Sequence, residues 1–406
     1  MMNDKTRNRV FYAQAVYGQE EIDAVNKVLM DSSNMLMDDR KVSEFEKKIS
    51  EIFGKKYGIM VNSGSSANLL ALTALRIPKG SEVITPSLTF STTVAPIIQN
   101  GLIPAFVDVD LRSFNIDVDS IEEMVGEKTK ALMIPNLLGN LPDWESIKEI
   151  ASKYQLKIIE DSADTIGTIY NGDTTGEIND MVTTSFYGSH VITCAGYGGM
   201  LCTNDLKYYE CAKLLQGWGR RSALVQDSDT VEDRFGHSID NISYDSRFIF
   251  DQLGYNFLPS ELSAAFGLAQ LDRLQTFIKR RLNNFNFLHQ FFEKYEDWFV
   301  LPVQNPSAVT PWLAFPLIVR KDAPFNRTEL QLNFENNQIQ TRPIFTGNIL
   351  RQPCLEGVSY KKNINGYPNA DLVMEGGILL GCHQGMDKGQ LEYICEVFSQ
   401  YIAKNY

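Results

Sequence analysis

Positive charge is in short supply in this 406-residue chain, where 38 Lys and Arg face 50 Asp and Glu for a formal charge of −12. A field of that sign opposes a nonspecific grip on phosphate backbones, which excludes general nucleic-acid binding. Cysteine is scarce too. The six thiols (Cys194, Cys202, Cys211, Cys354, Cys382, Cys395) show no short paired spacing, so a disulfide scaffold is excluded and reduced thiols in a cytoplasm are expected. No window approaches about eighteen uninterrupted apolar residues, and the opening stretch MMNDKTRNRVFYAQ has no apolar run. Neither a membrane span nor an export signal is expected. Histidine occurs only four times, and no lysine stands between Lys157 and Lys207.

What is present is the composition of a folded protein, 44% hydrophobic and 22% charged, too apolar for a disordered chain. At roughly 150 residues per domain the length predicts two or three folding units. Ile22, Val25 and Val28 give helical spacing to 18–29, and the pattern recurs over 42–52. Short, nearly continuous apolar strands at 57–61, 82–84, 103–109, 130–134 and 157–160 then alternate with helical stretches at 67–75, 92–99, 120–125 and 144–154. That alternation predicts an α/β unit whose mostly parallel sheet is covered on both faces. One long helical pattern follows from 262 to about 292, and Pro302, Pro306 and Pro311 mark turns beyond it. We therefore expect a large domain over 1–275, N-terminal helices included, and a smaller C-terminal α/β domain over 276–406. The stretch 217–255 is polar, Asp-rich and weakly periodic; a loop that long in a compact protein is usually functional or interfacial.

Three segments carry candidate chemistry. Asn62-Ser63-Gly64-Ser65-Ser66-Ala67 joins a strand to a helix, and small residues there leave several amides open to a phosphate, although such a turn also serves as a plain connector. Ile158-Ile159-Glu160-Asp161 ends a strand in an acidic pair. Ligands of open α/β sheets sit at that edge, while the plainer reading has Asp161 capping the next helix. In Ser185-Phe186-Tyr187-Gly188-Ser189-His190 a rare histidine lies among small and hydroxyl residues, before the glycine-rich turn 196–199. It is either a structural hydrogen-bonder or a proton carrier.

Taken with GQEEIDAVNKVL, VSEFEKKISEIFGKKYGIMV, PSLTFSTTVAPIIQNGLIPAFVDVDLRSFNID, IIEDSADTIGT, LGYNFLPSELSAAFGLAQLDRL and TRPIFTGNILRQP, the three segments resemble the sugar aminotransferases of the DegT/DnrJ kind. The resemblance runs over nearly the whole chain. It implies fold type I, the aspartate aminotransferase architecture, and use of pyridoxal phosphate (PLP). In that family the lysine that bonds the cofactor lies four residues after the Phe of a Ser-Phe pair, and here that place is His190. An imidazole is not a primary amine and makes no Schiff base. The resemblance therefore narrows to the nucleotide-sugar 3-dehydratases, which hold PLP or its amine form, pyridoxamine phosphate (PMP), noncovalently. Two departures stand out. The family's Gly-Glu-Gly-Gly reads Gly196-Tyr197-Gly198-Gly199, one residue late, and no cysteine occurs between Gly217 and Asn256, where one dehydratase type carries cluster ligands. An iron-sulfur cluster needs four thiolates, so neither a cluster nor another metal is expected, and the better match is the cluster-free type, similar to the enzyme of colitose synthesis.

The resemblance implies the following roles. His190 is the catalytic base and acid that removes the 3-hydroxyl of a 4-keto-6-deoxy nucleotide sugar. Asp161 pairs with the pyridine nitrogen, and Gly64, Ser65, Ser185 and Asn256 of a neighbouring subunit hold the phosphate. Phe90 stacks on the ring or packs in the core, and Asp164 lies near the ring hydroxyl. Arg342, Arg351 and His383 meet the substrate diphosphate or glutamate, or else make structural contacts. Glutamate is the implied amino donor, and a homodimer is implied by the shared site. The competing readings are an ordinary sugar aminotransferase and a noncatalytic homologue.

Overall fold

The computed structural model describes residues 9–31, 35–224 and 230–406. Two helices, α1 (Gln19–Met30) and α2 (Arg40–Ile52), precede strand β1 (Tyr57–Val61) and α3 (Gly64–Ala74). Then come β2 (Glu82–Pro86), α4 (Ser91–Gln99), β3 (Ile103–Val107), β4 (Thr129–Pro135), α5 (Trp144–Tyr154), β5 (Lys157–Asp161), β6 (Met181–Ser185), β7 (Gly199–Thr203) and α6 (Leu206–Gln216). The seven strands form one sheet in the order β1-β7-β6-β5-β4-β2-β3. Only β7 runs against the others.

Alternation along each strand builds the two covered faces. Ile59, Val61, Ala131, Met133 and Ile159 fall in a core cluster with Ala67, Leu70 and Ala71 of α3. Leu132, Ile134 and Ile158 point the other way, toward Trp144 and Ile147 of α5. A strand buried on both sides has no polar face to show, which is why these strands read as continuous apolar runs.

Helices α7 (Glu261–Asp272) and α8 (Leu274–Phe292) lead to a second, antiparallel sheet of β8 (Phe299–Val300), β9 (Phe315–Val319) and β10 (Gly377–Leu380), ordered β8-β9-β10. Helices α9 (Arg327–Asn336), α10 (Pro368–Gly376) and α11 (Lys388–Asn405) complete this part. Its core is aromatic: Phe292 meets Phe299, Phe315 and Phe398 with ring centroids 5.2–5.7 Å apart. Val10, near the N-terminus, bridges to Ile339 and is buried in the same cluster.

Several expectations need correction. The helix at 120–125 is two 3-10 turns, Val118–Ser120 and Glu122–Met124; so short a run cannot repay the cost of nucleating an α-helix. The pattern from 262 to 292 is two helices separated at Arg273, whose guanidinium turns aside to Glu21, 2.9 Å away. Within 217–255 the chain forms a short helix, Val231–Phe235, and a hairpin of His237–Ile239 with Ile242–Tyr244. Residues 225–229 of that stretch lie outside the described residues.

Candidate active site

The carboxyl ends of the parallel strands meet at one edge of the large sheet. There β1 runs into Asn62-Ser63, and α3 begins at Gly64. Ser63 caps the helix by accepting from the Ser66 amide at 3.1 Å. The first amides of an α-helix have no acceptor within it, so those of Gly64 and Ser65 open on whatever lies before the helix. A β-carbon on Gly64 would stand 2.5 Å from that of Ser185, and one on Gly199 would stand 2.3 Å from the Ser63 carbonyl. Glycine at both places lets three strand ends close on one small pocket. Ser65 Oγ donates to Thr92 Oγ1 at 2.9 Å and ties α3 to the start of α4.

Asp161 ends β5 and is buried. Its carboxylate accepts from Asn68 Nδ2 at 2.8 Å and Thr93 Oγ1 at 2.9 Å, with the Ala163 amide at 3.3 Å. Thr183 Oγ1 donates to Asn68 Oδ1 at 2.5 Å, so the Asn68 amide is turned with its NH2 toward Asp161. Every one of these donors is neutral. Burial therefore pushes the Asp161 carboxyl up, and its hydrogen bonds only partly offset this. Asp164 accepts from the Leu138 amide at 3.0 Å; burial, and then the proximity of Asp161, push it up to about 7.

His190 sits in the loop after β6. Its Nδ1 is 3.1 Å from the Ser185 carbonyl. A carbonyl only accepts, so Nδ1 carries the proton of the neutral ring and Nε2 holds the lone pair. Nε2 lies 3.9 Å from Asp164 Oδ1. Burial first, and the positive charge of Arg281, depress the imidazole to about 4 against the pull of the Ser185 hydrogen bond. At neutral pH the ring is an uncharged base. The glycine turn departs from the family spelling but still delivers Gly199 opposite Ser185. Left-handed Ala195 and Gly196 take up the irregularity, and Tyr197 swings to the rim, edge-on to Tyr187 at 5.8 Å.

These groups line one cavity of about 580 Å³. Of the residues singled out in the sequence, Gly64, Ser65, Phe90, Asp161, Asp164, Ser185, His190 and Arg342 are brought together on its wall. Among the described residues lining it there is no lysine. Phe90 is 51% exposed and touches Phe345 edge-on, so it is not a core residue. Three others lie elsewhere. Arg351 makes two bonds of 2.5 Å to Asp371 on the surface. His383 is buried with Nε2 3.2 Å from the Phe11 carbonyl and Nδ1 accepting from the Gly385 amide. Asn256 is exposed and bridges Gly217 away from this chain's own cavity. Sequence reading missed Tyr12, Asn68, Thr93 and Asn136, which also line the cavity. A polar residue at the fifth position of α3, or at the third of α4, was the available signal.

Residues 16–399 match the DegT/DnrJ/EryC1/StrS aminotransferase family. The chain belongs to that family. Its members are PLP-dependent, sugar-modifying enzymes. The chain is 37% identical over 402 residues, 96% of its length and 91% of the relative's, to the lipopolysaccharide biosynthesis protein RfbH of Salmonella typhimurium. It is 33% identical over 393 residues, 95% of its length and 98% of the relative's, to GDP-4-keto-6-deoxy-D-mannose 3-dehydratase of Escherichia coli O55:H7. GDP-perosamine synthase of Escherichia coli O157:H7 matches at 31% over 97% of this chain and 98% of that one. The solved E. coli GDP-4-keto-6-deoxy-D-mannose-3-dehydratase with bound hydrated PLP superposes with a TM-score of 0.86 at 31% identity, covering 96% of this chain and 99% of that one. A GDP-4-keto-6-deoxymannose-3-dehydratase solved with a trapped PLP-glutamate geminal diamine superposes with a TM-score of 0.85 at 31% identity, covering 96% of this chain and 99% of that one.

The residues fit the cofactor. A buried carboxylate surrounded only by neutral donors suits a cationic ring nitrogen, which would stabilise its charged form. The cradle at Gly64, kept open by the missing side chain, suits a phosphate at a helix N-terminus. No helix among the described residues is long and apolar enough to cross a membrane.

Proposed function

We propose that this chain is a PLP/PMP-dependent nucleotide-sugar 3-dehydratase that removes the 3-hydroxyl of a 4-keto-6-deoxy nucleotide sugar. One observation carries the reading: a neutral histidine stands on the cavity wall, and no lysine is found among the described residues that line it. A transaminase needs a primary amine to bond the cofactor and relay its proton. An imidazole relays a proton but forms no tether.

When bound, the cofactor supplies an amine and an electron-accepting pyridine ring. The remaining work falls to the chain. Gly64, Ser65 and Ser185 would hold the phosphate, with Asn256 of a second copy adding a donor, and Phe90 would meet the ring. Asp161, oriented by Asn68 and Thr93, would pair with the ring nitrogen and keep it protonated. His190 Nε2 takes a proton and returns it to the departing hydroxyl, one group serving as base and then acid. Asp164, poised near 7, adjusts the charge beside it. Arg342, whose guanidinium lies 5.7 Å from the Tyr12 ring centre, is left to meet an anionic part of sugar nucleotide or glutamate. Over one turnover the sugar loses an oxygen as water, glutamate gives two electrons and becomes 2-oxoglutarate with its keto oxygen taken from water, and its nitrogen leaves as ammonia.

The test is product mass after incubation with PLP, glutamate and a panel of GDP-, CDP- and dTDP-linked 4-keto-6-deoxy sugars. Loss of one oxygen without nitrogen gain is the expected result. Replacement of the keto oxygen by an amino group would instead make this chain an aminotransferase, the activity in the name of the matching GDP-perosamine synthase.

A further inference from the structure

Against the backbone of the His190 loop lies a fully buried guanidinium whose hydrogen bonds the proposed chemistry does not use. Arg281 of α8 has no exposed surface, and its five N–H groups reach five oxygens. Nε donates to Gln384 Oε1 at 2.5 Å. Nη1 donates to the Trp312 and Leu313 carbonyls at 3.1 and 2.9 Å, and Nη2 to those of Ser189 and His190 at 3.5 and 3.3 Å. Gln384, 1% exposed, donates from Nε2 to the Val191 carbonyl at 3.0 Å. Three consecutive carbonyls of the histidine loop are thus gripped by one coupled pair from the C-terminal part of the chain.

The grip closes a circuit. The Leu313 amide donates to the Leu138 carbonyl at 2.7 Å, and the Leu138 amide to Asp164, which faces His190 Nε2. Leu138 holds this place with a left-handed φ of 60°, a conformation retained only where its surroundings require it. None of the five acceptors on Arg281 is a carboxylate, so a buried positive charge is kept at a cost that packing alone would not demand.

Resting on the dehydratase reading, we infer that Arg281 and Gln384 are positioning residues that fix the His190 imidazole over the cavity by holding the carbonyls of residues 189–191. The charge has a second effect. His190 faces Asp164 and the Tyr187 ring, with Tyr12 also on the cavity wall and Arg281 bonded to its carbonyl; of these, Arg281 opposes its protonation.

The experiment pairs a binding-free and a kinetic readout. In the cofactor-free chain, ring-labelled histidine NMR follows four imidazoles, His190 being assigned by its loss in His190→Gln. In Arg281→Gln the His190 titration is expected to move upward from about 4, because a repelling charge has gone. In the loaded enzyme kcat falls by about 100-fold with KM unchanged, the signature of a displaced catalytic group. Gln384→Leu keeps the charge, cuts the Val191 contact and decides the matter should Arg281→Gln not fold: its His190 amide, which donates to the Tyr187 carbonyl, is expected to exchange faster with solvent, and kcat to fall. A folded Arg281→Gln chain with unchanged kcat, or a Gln384→Leu chain with unchanged exchange and kcat, overturns the positioning inference, and an unmoved His190 titration in Arg281→Gln overturns the charge effect. Failure of the wild type to dehydrate any sugar overturns the dehydratase reading instead, and leaves the NMR outcome standing.

Discussion

His190 Nε2 and Asp164 Oδ1 face each other at 3.9 Å, and burial drives their proton affinities in opposite directions. The imidazole falls to about 4 and the carboxyl rises to about 7. They are close enough for an ion pair, yet the histidine is uncharged at neutral pH, so the contact joins an uncharged imidazole, its Nε2 lone pair intact, to a carboxyl near its own midpoint. That is the state a base must have before it receives a proton.

His190→Lys tests the identity of that base. Dehydration is expected to stop, and borohydride is expected to fix the cofactor to position 190, read as a mass increase on the peptide. Unchanged dehydration would remove His190 from the chemistry.

Asp161→Asn keeps the shape and removes the charge. A hydrogen bond to a charged group contributes about 2 kcal/mol, so PMP affinity is expected to fall roughly thirtyfold, measured by fluorescence titration. Equal affinity would mean that the ring nitrogen lies elsewhere.

Asp164 links stability to pH in the cofactor-free chain. Its folded value is raised, so the stability it contributes is complete below the ordinary 3.8 and is lost as pH rises through about 7. Urea midpoints of the wild type should therefore drop across that window by more than those of Asp164→Asn. Parallel curves would show that the carboxyl is not perturbed.

Gly64→Ala puts a methyl group 2.5 Å from the Ser185 β-carbon. Overpacking of this kind costs about 1–3 kcal/mol, and the phosphate cradle should close with it. Ser185→Gly in the same chain should recover most of the lost stability, since the two sites share one contact. Simple additivity in thermal unfolding would contradict the geometry.

Local signals made much of this legible. The turn 62–67, Asp161 and His190 lie next to the strand ends that hold them, so contiguous sequence carried both the element and the residue. Arg281 was opaque for the opposite reason: within Lys279-Arg280-Arg281 it reads as part of a solvated helical face, and only the approach of 189–191, 312–313 and 384 buries it. Arg351 and His383 had suitable chemistry, but residue type does not say which way a side chain points; Asp371 and the Phe11 carbonyl claim them. Tyr12 reaches the cavity across more than three hundred positions of chain, its amide bonded to Gln340.

The lysine-free wall has a consequence for handling the protein. A ring that is clasped but not bolted leaves by diffusion alone, so prolonged dialysis should yield the bare chain without any bond being cut. Turnover would then follow the free concentration of the vitamer in the surrounding medium, making the catalyst responsive to nutrient supply in a way that a tethered relative is not.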